Sequence, residues 1–144
     1  DLTWIEEPLV YDNLEGYSQL TRKIKTPIQL GENFYGPREL YKAIEKKASD
    51  LVMPDFMRIG GVTGWMSSAE IASAAGIPIS THFYPEVGSH LMRVSKSAHW
   101  LEWLDWADEI LIDPFVIEDG HVQIPNKPGI GLEWNEKVVK KYGI

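Results

Sequence analysis

The sequence contains no cysteine in its 144 residues. A disulfide framework and a thiolate metal site are therefore excluded. It has no apolar run approaching the ~18 residues that a membrane span requires, so no membrane partner is expected. Positive charge is in short supply, with 14 Lys and Arg against 21 Asp and Glu and a net charge of -7. That balance provides no basic stripe for nucleic acid or for an anionic lipid surface. The opening Asp1-Leu2-Thr3-Trp4 has no initiator methionine and does not read as a secretory leader, so no leader is expected. A start just ahead of a strand-like segment is what a fragment would show, and a cytoplasmic enzyme is the expectation.

What is present is ordinary for a globular chain: 44% hydrophobic and 24% charged residues. The length suffices for one domain with a core. Six tryptophans are many for this size, and burial is expected for them. The first two-thirds repeats a strand, a polar loop and a helix. Thr3 to Ile5, Pro27 to Leu30, Leu51 to Met53, Ile77 to Ser80 and Ala98 to Leu101 read as strands. Between them, helices are predicted from Asn13 to Lys25, Pro37 to Lys47, Gly61 to Ala75 and Val87 to Ser95. Asn13 supplies an N-cap, Pro37 a first-turn proline and Gly76 a C-terminal stop. Alternation at this pitch implies parallel strands joined by crossover helices, an α/β class. The tail from 107 to 144 departs from the repeat. It reads as a hairpin about Asp119-Gly120, a Pro/Gly loop and a short helix from Asn135 to Tyr142.

The chemistry is in what ends each strand: Glu6-Glu7, Glu32-Asn33, Asp55, His82 and Glu102. In a parallel barrel all these ends open on one face, where such barrels carry their sites. A single carboxylate after a strand is most often a cap or a solvated loop residue. Five titratable groups in register are harder to assign that way. Converging carboxylates repel unless a proton or cation neutralises them. Glu6 and Glu32 are hard oxygen ligands, which suits Mg²⁺, with Mn²⁺ the alternative. Two ligands make a poor site, so at least one more is expected from elsewhere. Asp55 beside His82 would fix the ring tautomer and raise the basicity of the other nitrogen, the design of a general base. Arg58 lies near the mouth, where pairing with Asp55 or Glu32, or contact with substrate, is open to it. Phe83 and Tyr84 follow His82 and are candidates to line the pocket. His90, His99 and His121 read as packing, structural and exposed residues in turn.

At these residues a family resemblance becomes specific. Trp4-Ile5-Glu6-Glu7-Pro8, Gly31-Glu32-Asn33, Met53-Pro54-Asp55, Ile59 to Trp65, Ser80-Thr81-His82, His99 to Glu102 and Pro128 to Gly131 occur in an order and spacing that resemble mandelate racemase and its close relatives in the enolase superfamily. The resemblance implies the C-terminal part, strands four to eight, of a modified TIM barrel, (β/α)₇β, without its N-terminal capping domain. On that basis residues 1–106 are a partial barrel, and the 107–144 tail packs on the capping domain. It further implies Glu6 and Glu32 as metal ligands, Glu7 as a supporting neighbour, His82 as base with Asp55 its partner, and Glu102 as a protonated acid on the substrate carboxylate. The implied reaction is Mg²⁺-dependent removal of the α-proton of a small carboxylate through an enediolate. Racemisation of an α-hydroxy acid leads, and dehydration of a sugar acid is the alternative.

The same resemblance shows what is missing. The strand-two Lys-X-Lys motif and the strand-three aspartate have no counterpart. Lys46-Lys47 and Lys140-Lys141 sit in the wrong context and read as exposed helix charges. The expected partner is therefore the rest of the same protein, with a homo-oligomer when complete. An inactive piece serving only in assembly is the competing reading. A phosphate site at Gly60-Gly61 is disfavoured by the ring of carboxylates.

Overall fold

The computed structural model describes residues 1–143. Position 144, the last of the predicted tail, lies outside them. Three short strands, β1 (Ile5–Glu6), β2 (Ile28–Leu30) and β3 (Leu51–Val52), pair in parallel in the order β1-β2-β3. The array continues through single parallel bridges, Val52 to Ile79 and Ile79 to Ala98. All five expected segments are thus adjacent in chain order, but the last two narrow to one bridge each. Pro78 has no N–H to give, so its segment pairs through its carbonyl to Val52 N–H and through the Ser80 N–H to Val52 O.

The crossovers are helices α1 (Leu14–Lys23), α2 (Pro37–Glu45), α3 (Gly61–Ala75) and α4 (Pro85–Val94). The Asn13 side chain caps α1 by accepting the Gly16 N–H at 3.0 Å. This helix ends at Lys23 because Thr26 precedes Pro27 and the chain must turn extended there. α3 is closed by Gly76 in the left-handed conformation, φ 70°. α4 starts at Pro85, two residues earlier than predicted, because Phe83 and Tyr84 take left-handed backbone and Pro85 then fits the first turn. The core between strands and helices gathers Ile28, Leu30, Leu40, Val52, Trp65 and Ile79.

The tryptophans do not follow expectation. Only Trp65 is fully buried, its Nε1–H donating to Ser95 Oγ at 3.0 Å, whereas Trp100 and Trp106 are 56% and 72% exposed. They lie on and after the last parallel segment, where no further strand pairs among the described residues. The tail forms an antiparallel hairpin, β4 (Val116–Glu118) and β5 (His121–Gln123), turned by Asp119 and Gly120 at φ 49° and 74°. Helix α5 (Glu136–Tyr142) follows, with Asn135 as its cap.

Gly64 is where α3 crosses closest to the preceding turn: a Cβ there would sit 2.0 Å from the Ile59 carbonyl oxygen. Backbone cannot yield as a side chain can. Gly64→Ala is therefore expected to lower the unfolding free energy by about 1–3 kcal/mol, read from urea denaturation. An unchanged midpoint would show that the helix slides at no cost.

Candidate active site at the carboxyl ends of the strands

Asp55 turns the chain out of β3. Its Oδ1 accepts the N–H groups of Met57 and Arg58, both at 2.8 Å. The carboxylate is thereby fixed, and Oδ2 is left for His82 Nδ1, also at 2.8 Å. A parallel bridge joins the backbones of Asp55 and His82, so the two side chains leave neighbouring segments at one level. Both are buried, 4% and 6% exposed. The other ring nitrogen, Nε2, lies 3.2 Å from Glu32 Oε2.

Phe83 and Tyr84 follow with φ of 53° and 49°. Such backbone costs on the order of 1–3 kcal/mol per non-glycine residue and persists only where the surroundings hold it. Glu102 supplies one hold, since its Oε2 accepts the Phe83 N–H at 2.7 Å. The imidazole supplies another, with the Phe83 ring 3.9 Å from it, centroid to centroid. Glu102 is itself placed by its own N–H, which donates to Thr81 Oγ1 at 2.9 Å.

Glu6 reaches the same opening. Although the residue as a whole is exposed, its carboxyl pKa is raised above the ordinary value, chiefly by loss of water around it. The Gln29 amide opposes this, donating to Glu6 Oε2 at 3.2 Å. Negative charge on Glu102 and Glu32 raises it further, and His82 lowers it. Glu6 thus lies within reach of charge on Glu32, His82 and Glu102. Glu6 and Glu102 also line a single cavity of about 200 Å³ with Gln29 and Thr81.

Glu7 is engaged by the end of β2. Its two oxygens accept the Gly31 N–H at 3.1 Å and the Asn33 Nδ2–H at 3.0 Å. Asn33 Nδ2 also donates to Glu32 Oε1 at 3.1 Å. Arg58 turns to Glu32 and not to Asp55's carboxylate: its Nη1 donates to the Glu32 carbonyl at 3.0 Å and stands 3.6 Å from Glu32 Oε1. Phe83 and Tyr84 open onto an apolar cavity of about 280 Å³ with Leu104 and Trp106. Beyond the mouth, His90 bonds the Ile130 carbonyl, His99 packs against Trp4 and Trp100, and His121 bonds the Asp119 carbonyl.

Two contributors escaped sequence reading. Gln29 is fully buried and joins β2 to Glu6, and its signal was an amide inside the apolar run Ile28 to Leu30. Thr81 carries no signal in the sequence beyond its place next to His82, yet its hydroxyl accepts the Glu102 N–H.

Among the described residues no three His, Asp or Glu side chains form a group that could hold a metal ion. Glu6 and Glu32 are a hard-oxygen pair with mutually unfavourable charge, so their chemistry suits a divalent cation while their number does not complete its coordination.

A row of parallel segments with acids and an imidazole at their carboxyl ends defines part of an α/β barrel enzyme scaffold. The chain belongs to the enolase C-terminal domain-like family, whose model matches residues 1–138. It is similar to an enolase from alpha proteobacterium bal199 solved with bound magnesium, at 61% identity and TM-score 0.95, covering 97% of this chain and 39% of that one. An enolase from Bradyrhizobium complexed with magnesium and mandelic acid is 47% identical at TM-score 0.95, covering 100% and 40%. Among curated proteins, L-talarate/galactarate dehydratase of Salmonella typhimurium is 34% identical over 137 residues, 95% of this chain and 34% of that protein. Other curated relatives are sugar-acid dehydratases, cycloisomerases and a racemase. The chain thus spans roughly a third of the curated relative it matches first and corresponds to the C-terminal barrel portion of the family fold.

A raised carboxyl pKa means that the folded chain holds the proton more tightly than the unfolded one. Stability from Glu6 is then greatest below its ordinary value of 4.5 and declines as pH rises through the raised folded value. Glu6→Gln is therefore expected to raise the thermal midpoint at neutral pH without added cation, and to make no difference below pH 4.5. Equal midpoints at both pH values would mean that the carboxylate is not crowded.

Proposed function

We propose that this chain carries the base and part of the metal site of an enzyme that removes the proton next to a carboxylate in a small hydroxy acid or sugar acid. The observation that carries the reading is the 2.8 Å bond from His82 Nδ1 to Asp55, which leaves Nε2 facing the mouth where Glu6, Glu32 and Glu102 gather.

Asp55 accepts the Nδ1–H and so holds the ring in the tautomer with a free pair on Nε2. Nε2 takes the α-proton, and the Asp55 carboxylate balances the imidazolium that results. Glu102 has one oxygen engaged by the Phe83 N–H; its other oxygen, when protonated, donates to the substrate carboxylate as that group gains electron density. Glu6 and Glu32 would hold Mg²⁺, with at least one further ligand from outside this chain. Bound there, the cation would supply positive charge to the substrate carboxylate. His82 and Asp55 are both buried, which strengthens the bond between them.

Delivery of a different proton to the opposite face, from a donor outside this chain, gives racemisation; loss of a β-hydroxyl as water, protonated by the His82 imidazolium, gives dehydration. The dehydratase and racemase relatives weigh equally here, and the half-reaction at His82 is common to both. In the full-length protein containing this chain, His82→Asn is expected to slow α-proton exchange with deuterated water by ~10²–10⁴-fold. Exchange alone would mark a racemase, 2-keto acid formation a dehydratase. The 144-residue chain by itself is expected to do neither. Undiminished exchange in the His82 variant would remove His82 as the base.

A further inference from the structure

Glu7 holds positive φ, 36°, just past β1, a conformation that a glutamate adopts at a cost. What it gains is two hydrogen bonds across to the end of β2, to Gly31 N–H and to the Asn33 amide. Asn33 in turn has two N–H groups on one nitrogen, and both face carboxylates: Glu7 Oε2 at 3.0 Å and Glu32 Oε1 at 3.1 Å. Its carbonyl oxygen faces Arg58 Nη1 at 3.4 Å, and the same Nη1 holds the Glu32 backbone. A free glutamate side chain samples several rotamers, and ordering it on a cation would forfeit that freedom at the moment of binding. Here Glu32 is contacted at its backbone by Arg58 and at one carboxylate oxygen by Asn33, contacts that restrict that freedom before a cation arrives.

We propose that Asn33 is a positioning residue: braced by Glu7, its amide fixes the Glu32 carboxylate in the orientation needed to take a divalent cation. The inference rests on the reading of Glu32 as a metal ligand. Partners of this kind that orient ligands typically carry ~10–100-fold of metal affinity.

The test measures Mn²⁺ affinity of the full-length protein by electron paramagnetic resonance of the free ion, with thermal midpoints recorded alongside. The variants are Glu32→Gln, Asn33→Ala, Asn33→Ser and the double variant Asn33→Ala with Glu32→Gln. Asn33→Ser provides the comparison should Asn33→Ala fail to fold. Asn33→Ala is expected to weaken Mn²⁺ binding by about 10-fold, and to add no further loss once Glu32 is Gln. Wild-type affinity in either Asn33 variant, with Glu32→Gln weakened, would overturn the positioning role. An Asn33 effect that persists undiminished in the Glu32→Gln background would do the same, since it would then act on the fold alone. Wild-type affinity in Glu32→Gln would instead remove Glu32 as a ligand, and this inference with it.

Discussion

Parallel pairing is the constraint from which the rest of the molecule follows. Strands that run the same way must each leave the sheet on the same side, and the crossover helices must return the chain to the other. The segments through Ile5, Ile28, Leu51, Ile79 and Ala98 therefore deliver their next residues to one opening. Glu6, Glu32, Asp55, His82 and Glu102 need no other device to meet. The parallel bridge between Asp55 and His82 brings those two residues to one level.

Bringing four acids and one imidazole together is electrostatically unfavourable, and the surrounding residues are arranged around that cost. Donors are placed on the acids from the backbone and from uncharged side chains. Met57 and Arg58 N–H hold Asp55, Phe83 N–H holds Glu102, Gln29 holds Glu6, and Asn33 holds Glu32. Three of the five non-glycine residues with positive φ among the described residues, Glu7, Phe83 and Tyr84, lie in the same places. Glu7 and Phe83 each have hydrogen bonds that offset the cost of that backbone. What these donors leave uncompensated, on Glu6 above all, is the charge a cation would meet.

Much of this was legible in the sequence because it is local. Asn13, Pro37, Gly76 and Asp119-Gly120 act through their own backbone or the next turn, and the structure has them at the caps and the hairpin as read. The converging strand ends were legible because period and topology alone set the face. The uses of Gln29, Thr81 and Asn33 were not, since each acts across to a segment about 20 or more residues away, or through an amide whose partner is unknown until the chain folds. The start of α4 escaped because Phe83 and Tyr84 have no intrinsic wish for left-handed backbone, which is imposed by Glu102 and His82. The exposed Trp100 and Trp106 show the limit of composition: a count of large apolar residues fixes how much must be covered, not what covers it.

Anomalous diffraction at the manganese edge, from crystals of the full-length protein soaked in Mn²⁺, bears most directly on whether the strand ends form a metal-assisted proton-transfer site. A single strong peak within about 2.0–2.3 Å of carboxylate oxygens of both Glu6 and Glu32, with His82 and Glu102 on the same side, is the expected result. A peak elsewhere on the molecule, or none at saturating Mn²⁺, would contradict it.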